Sequence, residues 1–251
     1  MEVHHHPQVE KKGFKEYFLE FVMIFLAVTL GFFAENLREH FKDESEIQND
    51  MQSMIADLRS DVAMYNSFLA SNKTSDRRID TLINLLKTNC SNTSKIYYLA
   101  RYITANNNTY TPNTKTFDQM KSSGALKLIE PRKLLDSISD YYQSLQYFPG
   151  VNTLQNEKLS AIHVANGQLF DGYVFQKMFD VSPSEFAVSG NIKMPDGNPA
   201  LLSDDFKVIN SVIIAYHYLY SVTEVNDEAA AVRCRNSERL IELLKKEYNL
   251  K

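Results

Sequence analysis

The stretch FLEFVMIFLAVTLGFFA, from Phe18 to Ala34, decides the fold of this chain. Glu20 is its one ionisable residue, and a helix over it rises about 25 Å, slightly short of a ~30 Å hydrocarbon core and sufficient with interfacial flanks. The reading predicts a transmembrane helix within residues 14–36, a short N-terminal tail over 1–13 and a soluble domain over 37–251. A cleaved signal peptide is the rival, since Lys11, Lys12 and Lys15 give a basic flank. Cleavage needs small residues, yet Phe32 and Phe33 precede Ala34, and Thr29-Leu30-Gly31 is a poor substitute. The apolar run also exceeds a usual signal core, so an uncleaved anchor is expected.

Three lysines precede the span, while Arg38 and Lys42 closely follow it. This small excess favours a cytoplasmic tail and an exported domain, which in a bacterium means an inner-membrane anchor and the periplasm. Glu20, Ile24, Ala27, Gly31 and Ala34 recur at steps of four and three and share one helical face. Ala27 and Gly31 form a small-xxx-small pair that lets a second helix approach closely, although small residues are common in spans anyway. Glu20 could line an oligomer axis or a proton path. Alternatively it sits in the first turn, reaches the headgroups and gains from the helix dipole.

Between Ala34 and Pro112 there is no proline or glycine, so the anchor helix is expected to continue outward. Ile47, Met51, Met54, Leu58, Val62, Tyr65 and Leu69 then mark an amphipathic stripe. Ending near residue 70, this helix would be about 85 Å long. The stripe reads as the core face of the chain's own bundle; a coiled-coil homodimer seam is the alternative. Ser75 or Asp76 is expected to cap a second helix carrying Ile79, Leu82, Ile83 and Leu86, and Ile96 to Ile103 gives a third.

The most organised segment is TFDQMKSSGALKLIEP, Thr116 to Pro131, followed by Leu134-Leu135, Ile138 and Tyr141-Tyr142. Thr116 with Gln119 has the form of a capping box, and Asp118 suits the first-turn dipole. After Ser122 and Ser123, Gly124 suits a left-handed stop, and Pro131 suits the first position of the next helix. Each notable residue therefore has a structural reading. Together with the anchor motif FKEYFLEF (Phe14 to Phe21) and GFFAENLREH (Gly31 to His40), this segment resembles an uncharacterised family of bacterial single-span membrane proteins. In that family such a span precedes a T-F/Y-x-x-L/M-x-S-S-G-x-L-x-L-I motif and a later Y-Y pair. The resemblance covers the anchor and about residues 114–142, and the C-terminal half in outline. It implies a bacterial membrane location and brings no activity with it.

Val151 to Phe175 reads as helical through Leu154, Leu159, Ile162, Leu169 and Phe170. Residues 176–203 hold Pro183, Gly190, Pro195, Gly197 and Pro199 and read as an irregular loop, with a possible short hairpin over Phe186 to Met194. Ser203 is expected to cap a last helix that bends near Glu224 to Asp227. The fold class is therefore all-α, a transmembrane helix continuing into a soluble helical bundle.

The net charge of −4, with no basic block, argues against nucleic-acid binding. Cys90 and Cys234 form no C-x-x-C pair; they read as isolated thiols, or as a pair if the domain is exported. Gly167 and Gly172 have phosphate-loop spacing, but Tyr173-Val174 stand where Lys and Ser/Thr are needed. His163 and His217 read as satisfied structural histidines, and His4-His5-His6 as a flexible tail that could bind a transition metal. No catalytic or metal-ligating constellation is found, so neither an enzyme nor a cofactor is expected. The expectation is a membrane-anchored interaction or scaffold module of the cell envelope, its partners the lipid bilayer and a second copy or another envelope protein. An extracytoplasmic small-molecule sensor is the alternative, since helical bundles can bind small molecules between their helices; against it, a tail of about thirteen residues is too short for an output domain, so its signal would have to pass through a partner. An oligomeric channel built on Glu20 is the third.

Overall fold

The computed structural model describes residues 13–88, 90–106, 109–179 and 192–250, with the backbone path alone for 147–152. It is built from helices: α1 (Phe14–Lys87), α2 (Thr93–Ala105), α3 (Lys115–Ser123), α4 (Arg132–Ser144), α5 (Phe148–Leu169), α6 (Gly172–Lys177) and α7 (Phe206–Tyr248). The chain divides into two compact units between Asp50 and Met51.

The first unit is the N-terminal part of α1. Its stretch is long and apolar enough to cross a membrane, and none of it is buried within the chain. Thr29, the one hydroxyl in the run, donates to the Phe25 carbonyl at 2.8 Å, so its polar group is satisfied inside the helix. Glu16 lies in the first turn, where its carboxylate accepts from the Gly13 N–H at 3.1 Å and meets the positive end of the dipole.

In the second unit the buried face of α1 runs Met51, Met54, Leu58, Asp61, Tyr65, Phe68, Asn72, Ile79, Leu82 and Leu86. These residues step by three and four, with the intermediate Ser75 completing the series. The face is core within a single chain, as the bundle reading expected. The cap expected at Ser75 or Asp76 is not there, because α1 continues to Lys87. The phase of the stripe never breaks; polar residues simply occupy some of its core positions.

At one end, Ile79, Leu82 and Leu86 pack with Tyr97 of α2, Ile162 of α5 and Tyr216 of α7. Further along, Tyr65 and Phe68 pack with Tyr110, Ala230 and Cys234. The Tyr110 ring meets both aromatics edge-on, at centroid distances of 5.1 and 4.5 Å. Helix α5 packs along α7, and α4 packs against α7.

Three further helix boundaries differ from expectation. The helix read across Val151 to Phe175 breaks at Phe170 and Asp171, where Asp171 caps α6 by accepting from the Tyr173 N–H at 2.8 Å. Tyr97 fixes that break, accepting from the Asp171 N–H at 2.9 Å and donating to the Ala200 carbonyl at 3.0 Å. Helix α7 is capped by Asp205, whose side chain accepts from Lys207 N–H, while Ser203 accepts from the Asp205 N–H. No bend interrupts α7 near Glu224 to Asp227, because Asn226 donates to Gln155 at 3.0 Å and Asp227 accepts from Asn72 at 2.6 Å. Among the described residues the only strand-like feature is an antiparallel bridge between Phe179 and Ile192. The hairpin over Phe186 to Met194 lies largely outside the described residues.

Candidate functional site

The segment Asn113 to Thr116 enters α3, and its polar groups converge on two aspartates of α1. Asp57 Oδ2 accepts from the Thr116 N–H at 3.0 Å and from its hydroxyl at 2.5 Å. Asp57 Oδ1 accepts from the Asn113 amide at 2.7 Å. The Asn113 backbone N–H donates to Asp61 Oδ1 at 2.8 Å. The opening turn of α3 is thus capped by a carboxylate from another helix.

The capping box expected between Thr116 and Gln119 does not form. The N-cap position falls at Thr114, which makes no side-chain cap bond; Thr116 lies inside the helix and is buried against α1, and Gln119 is exposed. Thr114 instead donates its hydroxyl to Asp118 Oδ2 at 2.7 Å. Pro131 is likewise one position earlier than expected, the N-cap of α4, with its carbonyl accepting from the Leu134 N–H at 2.8 Å. The corner between them is as expected: Gly124 has φ 79°, in the left-handed region. Ser122 donates to the Asp118 carbonyl, and the Ser123 hydroxyl donates to Met120 and accepts from Ala125 N–H.

The Tyr141-Tyr142 pair of α4 closes the cluster. The Tyr141 hydroxyl donates to Asp61 Oδ2 at 3.4 Å and shares a 2.8 Å hydrogen bond with Ser237 of α7. Tyr142 stacks on Phe117 at 4.2 Å with the rings 8° from parallel. Helices α1, α3, α4 and α7 are therefore joined by one polar cluster under an aromatic lid. Asp61 is only 2% exposed. Burial pushes its carboxyl up to about 6, against the Asn113 N–H and the Tyr141 hydroxyl, which favour the charged form. Burial likewise pushes the Tyr141 phenol up to about 12.

A second acidic group lies between α1 and α7. Asp76 is pushed up to about 6 by burial first, then by the charges of Asp227, Glu224 and Asp80. Neither Asp57 nor Asp61 was singled out from the sequence. The available signal was Asp61 itself, a charge at a core-facing step between Leu58 and Tyr65.

The span residues Glu20, Ile24, Ala27, Gly31 and Ala34 are all exposed on α1. A side chain built at Gly31 would meet nothing within 4 Å in the single chain. His163 and His217, expected as satisfied structural histidines, are exposed instead; His4, His5 and His6 lie outside the described residues. Cys90 and Cys234 are free thiols, the second buried. Among the described residues no group of three or more His, Cys, Asp or Glu could hold a metal ion. As a chemical arrangement, the Asp57 and Asp61 cluster holds helices together and offers one carboxyl, that of Asp61, which burial pushes up to about 6.

A family model described as a family of unknown function (DUF6090) matches residues 20–184, well over half of the chain. The match takes in the span from Glu20 onward, Asp57, Asp61, the Thr116 segment and the tyrosine pair. No curated protein and no solved structure matches.

Proposed function

In a chain that belongs to the DUF6090 family, whose function is unknown, we propose a membrane-anchored helical interaction or scaffold module of the bacterial cell envelope. The observation that carries this reading is the uncovered apolar stretch of α1, none of which is buried by the rest of the chain. Such a surface is costly in water and is satisfied by lipid or by another span. In this reading residues 14–36 cross the inner membrane, residues 1–13 are cytoplasmic and residues 37–251 lie in the periplasm. The lysines before the span support that orientation.

The polar groups of the Thr116 segment support an architectural role, because the described hydrogen bonds tie helices to one another. Work done by contact also accords with α7, where Ile214, Tyr218, Val225 and Val232 are exposed at steps of four and seven. Self-association through the Ala27 and Gly31 face, or pairing with another envelope protein, supplies the contact.

Purification of the tagged full-length protein from native membranes, after mild cross-linking, tests the proposal. A second copy or a stoichiometric membrane or envelope protein is expected. A lone protein under conditions that preserve known membrane complexes would overturn it, and a bound metabolite in that lone protein would favour the sensor.

A further inference from the structure

Oxygen atoms of α1, α4 and α7 meet in a chain behind the Thr116 segment. Asp61 Oδ2 lies 3.4 Å from the Tyr141 hydroxyl, which lies 2.8 Å from the Ser237 hydroxyl, which in turn lies 3.0 Å from the Arg233 carbonyl. All three side chains are buried. Three contacts need three protons, and the two hydroxyls supply only two. A protonated Asp61 supplies the third. The chain then runs one way: Asp61 donates to Tyr141, Tyr141 to Ser237, and Ser237 to the carbonyl. With Asp61 ionised, Tyr141 turns its proton to the carboxylate, Ser237 turns to Tyr141, and the Arg233 carbonyl keeps its helical partner alone.

The ionised arrangement is also short of compensation. The titratable groups facing Asp61 are Asp57 and Tyr65 of α1 and Tyr141 and Tyr142 of α4. On α7 the Arg233 guanidinium donates to the Tyr110 hydroxyl at 3.4 Å, and on α3 Asp118 accepts from Thr114. Among the described residues none of these forms an ion pair with Asp61. A buried carboxylate with a like charge one turn away and no cation carries a cost that hydration relieves. Water reaches Asp61 when the Asn113 and Tyr141 contacts part, since these two groups make its hydrogen bonds.

We propose that Asp61 is a proton-operated latch: protonated, it completes the chain and holds the corner from Asn113 to Tyr142 on α1; ionised, it favours release of that corner and hydration of the carboxylate. Burial works in the same direction, pushing the Asp61 carboxyl up to about 6, against ~4 for a hydrated aspartate. The docked corner therefore binds more protons between these values, and its hold is full below about 4 and lost as pH rises through about 6. Helix α7 keeps bonds that do not involve Asp61, from Asn226 to Gln155 of α5 and from Asn72 of α1 to Asp227, so the rest of the bundle stays assembled. The latch goes beyond the interaction role proposed above and does not depend on it.

The test is amide hydrogen exchange of the full-length protein in lipid nanodiscs, read by mass spectrometry from pH 4.5 to 8 and divided by the exchange rate of the unfolded peptide at each pH. The segment from Asn113 to Ser123 should open about 25-fold more at pH 8 than at pH 4.5. At pH 8 it should be at least tenfold less protected than Val212 to Val222 of α7. Asp61→Asn keeps a donor for Tyr141 and an acceptor for Asn113 without a charge, and should flatten the profile to within threefold. Asp76→Asn should leave it intact. Ser237→Ala strands the Tyr141 proton only in the protonated arrangement, so the rise should level off nearer pH 5 than 6. Equal protection of the two segments would overturn the latch by showing that the corner opens only when the domain unfolds. A profile unchanged in Asp61→Asn would overturn the assignment to Asp61, and should that variant not fold, an unshifted Ser237→Ala profile would overturn the proton chain on its own.

Discussion

Asp57 caps a helix that is not its own: its Oδ2 accepts both the N–H and the hydroxyl of Thr116, at 3.0 and 2.5 Å. A capping bond within one helix stabilises that helix wherever it lies. This one stabilises α3 only when docked on α1, so secondary structure and tertiary packing are coupled at a single carboxylate.

Removing that carboxylate tests the coupling. Asp57→Ala leaves Thr116 and Asn113 without their acceptor and is expected to lower stability by about 2–3 kcal/mol. Gln119→Ala, which the sequence pattern alone would have made comparably costly, should stay within about 0.5 kcal/mol. Chemical denaturation of the two variants in the same detergent checks this. Equal losses would mean that the capping box forms after all.

Gly124 provides a second test, since φ 79° is strained for a residue with a Cβ while nothing lies within 4 Å of where that Cβ would be. The cost is therefore conformational rather than steric. Gly124→Ala should cost about 1–2 kcal/mol, Gly124→Val about 1–3 kcal/mol, and Gly124→Asn the least. A cellular phenotype for Gly124→Val with unchanged melting would instead make Ser122, Ser123 and Gly124 candidates for binding.

Much of this architecture was legible in the sequence because burial and lipid exposure both write periodic apolar patterns. The span and the stripe from Met51 to Tyr65 are examples. Legibility failed where polar residues occupy core steps. Ser75 and Asp76 look like caps, yet Asn72 pairs with Asp227 and the α1 stripe passes through them in phase. Asn226 and Asp227 look like a bend and are bonded across the bundle. Thr116 and Gln119 carry a local signature, but the acceptor that Thr116 uses lies 59 residues away in sequence. No local pattern reports such a partner. A cavity whose lining comes from residues 86–93 and 201–213 was invisible for the same reason.

The buried carboxyls predict a pH dependence whose sign follows from their protonation. Asp61 and Asp76 are both held near 6 in the folded protein, above the ordinary ~4 of an unfolded aspartate. The folded state thus binds more protons between these values. The stabilising contribution of each group is fully present below about 4 and is lost as pH rises through about 6. Urea denaturation from pH 4.5 to 8 should show Asp61→Asn and Asp76→Asn each losing less stability over this range than the wild type. A steeper loss in the asparagine variants would reverse the assignment.

Self-association of the span is expected to depend on its small-residue face. In lipid, close backbone approach distinguishes one face from another. Gly31→Ile should therefore abolish energy transfer between labelled copies in a bilayer, whereas Val28→Ile, on a different face, should preserve it. Equal transfer for wild type and Gly31→Ile would reduce the span to an anchor, and loss in both variants would indicate general sensitivity to bulk.

The most direct test of the whole reading is the topology of the intact chain in a bacterial membrane. Alkaline phosphatase, or a green fluorescent protein that stays dark after Sec export, is fused at the C-terminus, and membranes are washed with alkaline carbonate. The account predicts an active phosphatase, a dark fluorescent protein and full retention in the washed membrane. A fluorescent fusion with inactive phosphatase would place residues 37–251 in the cytoplasm, and release by carbonate would contradict the anchor itself.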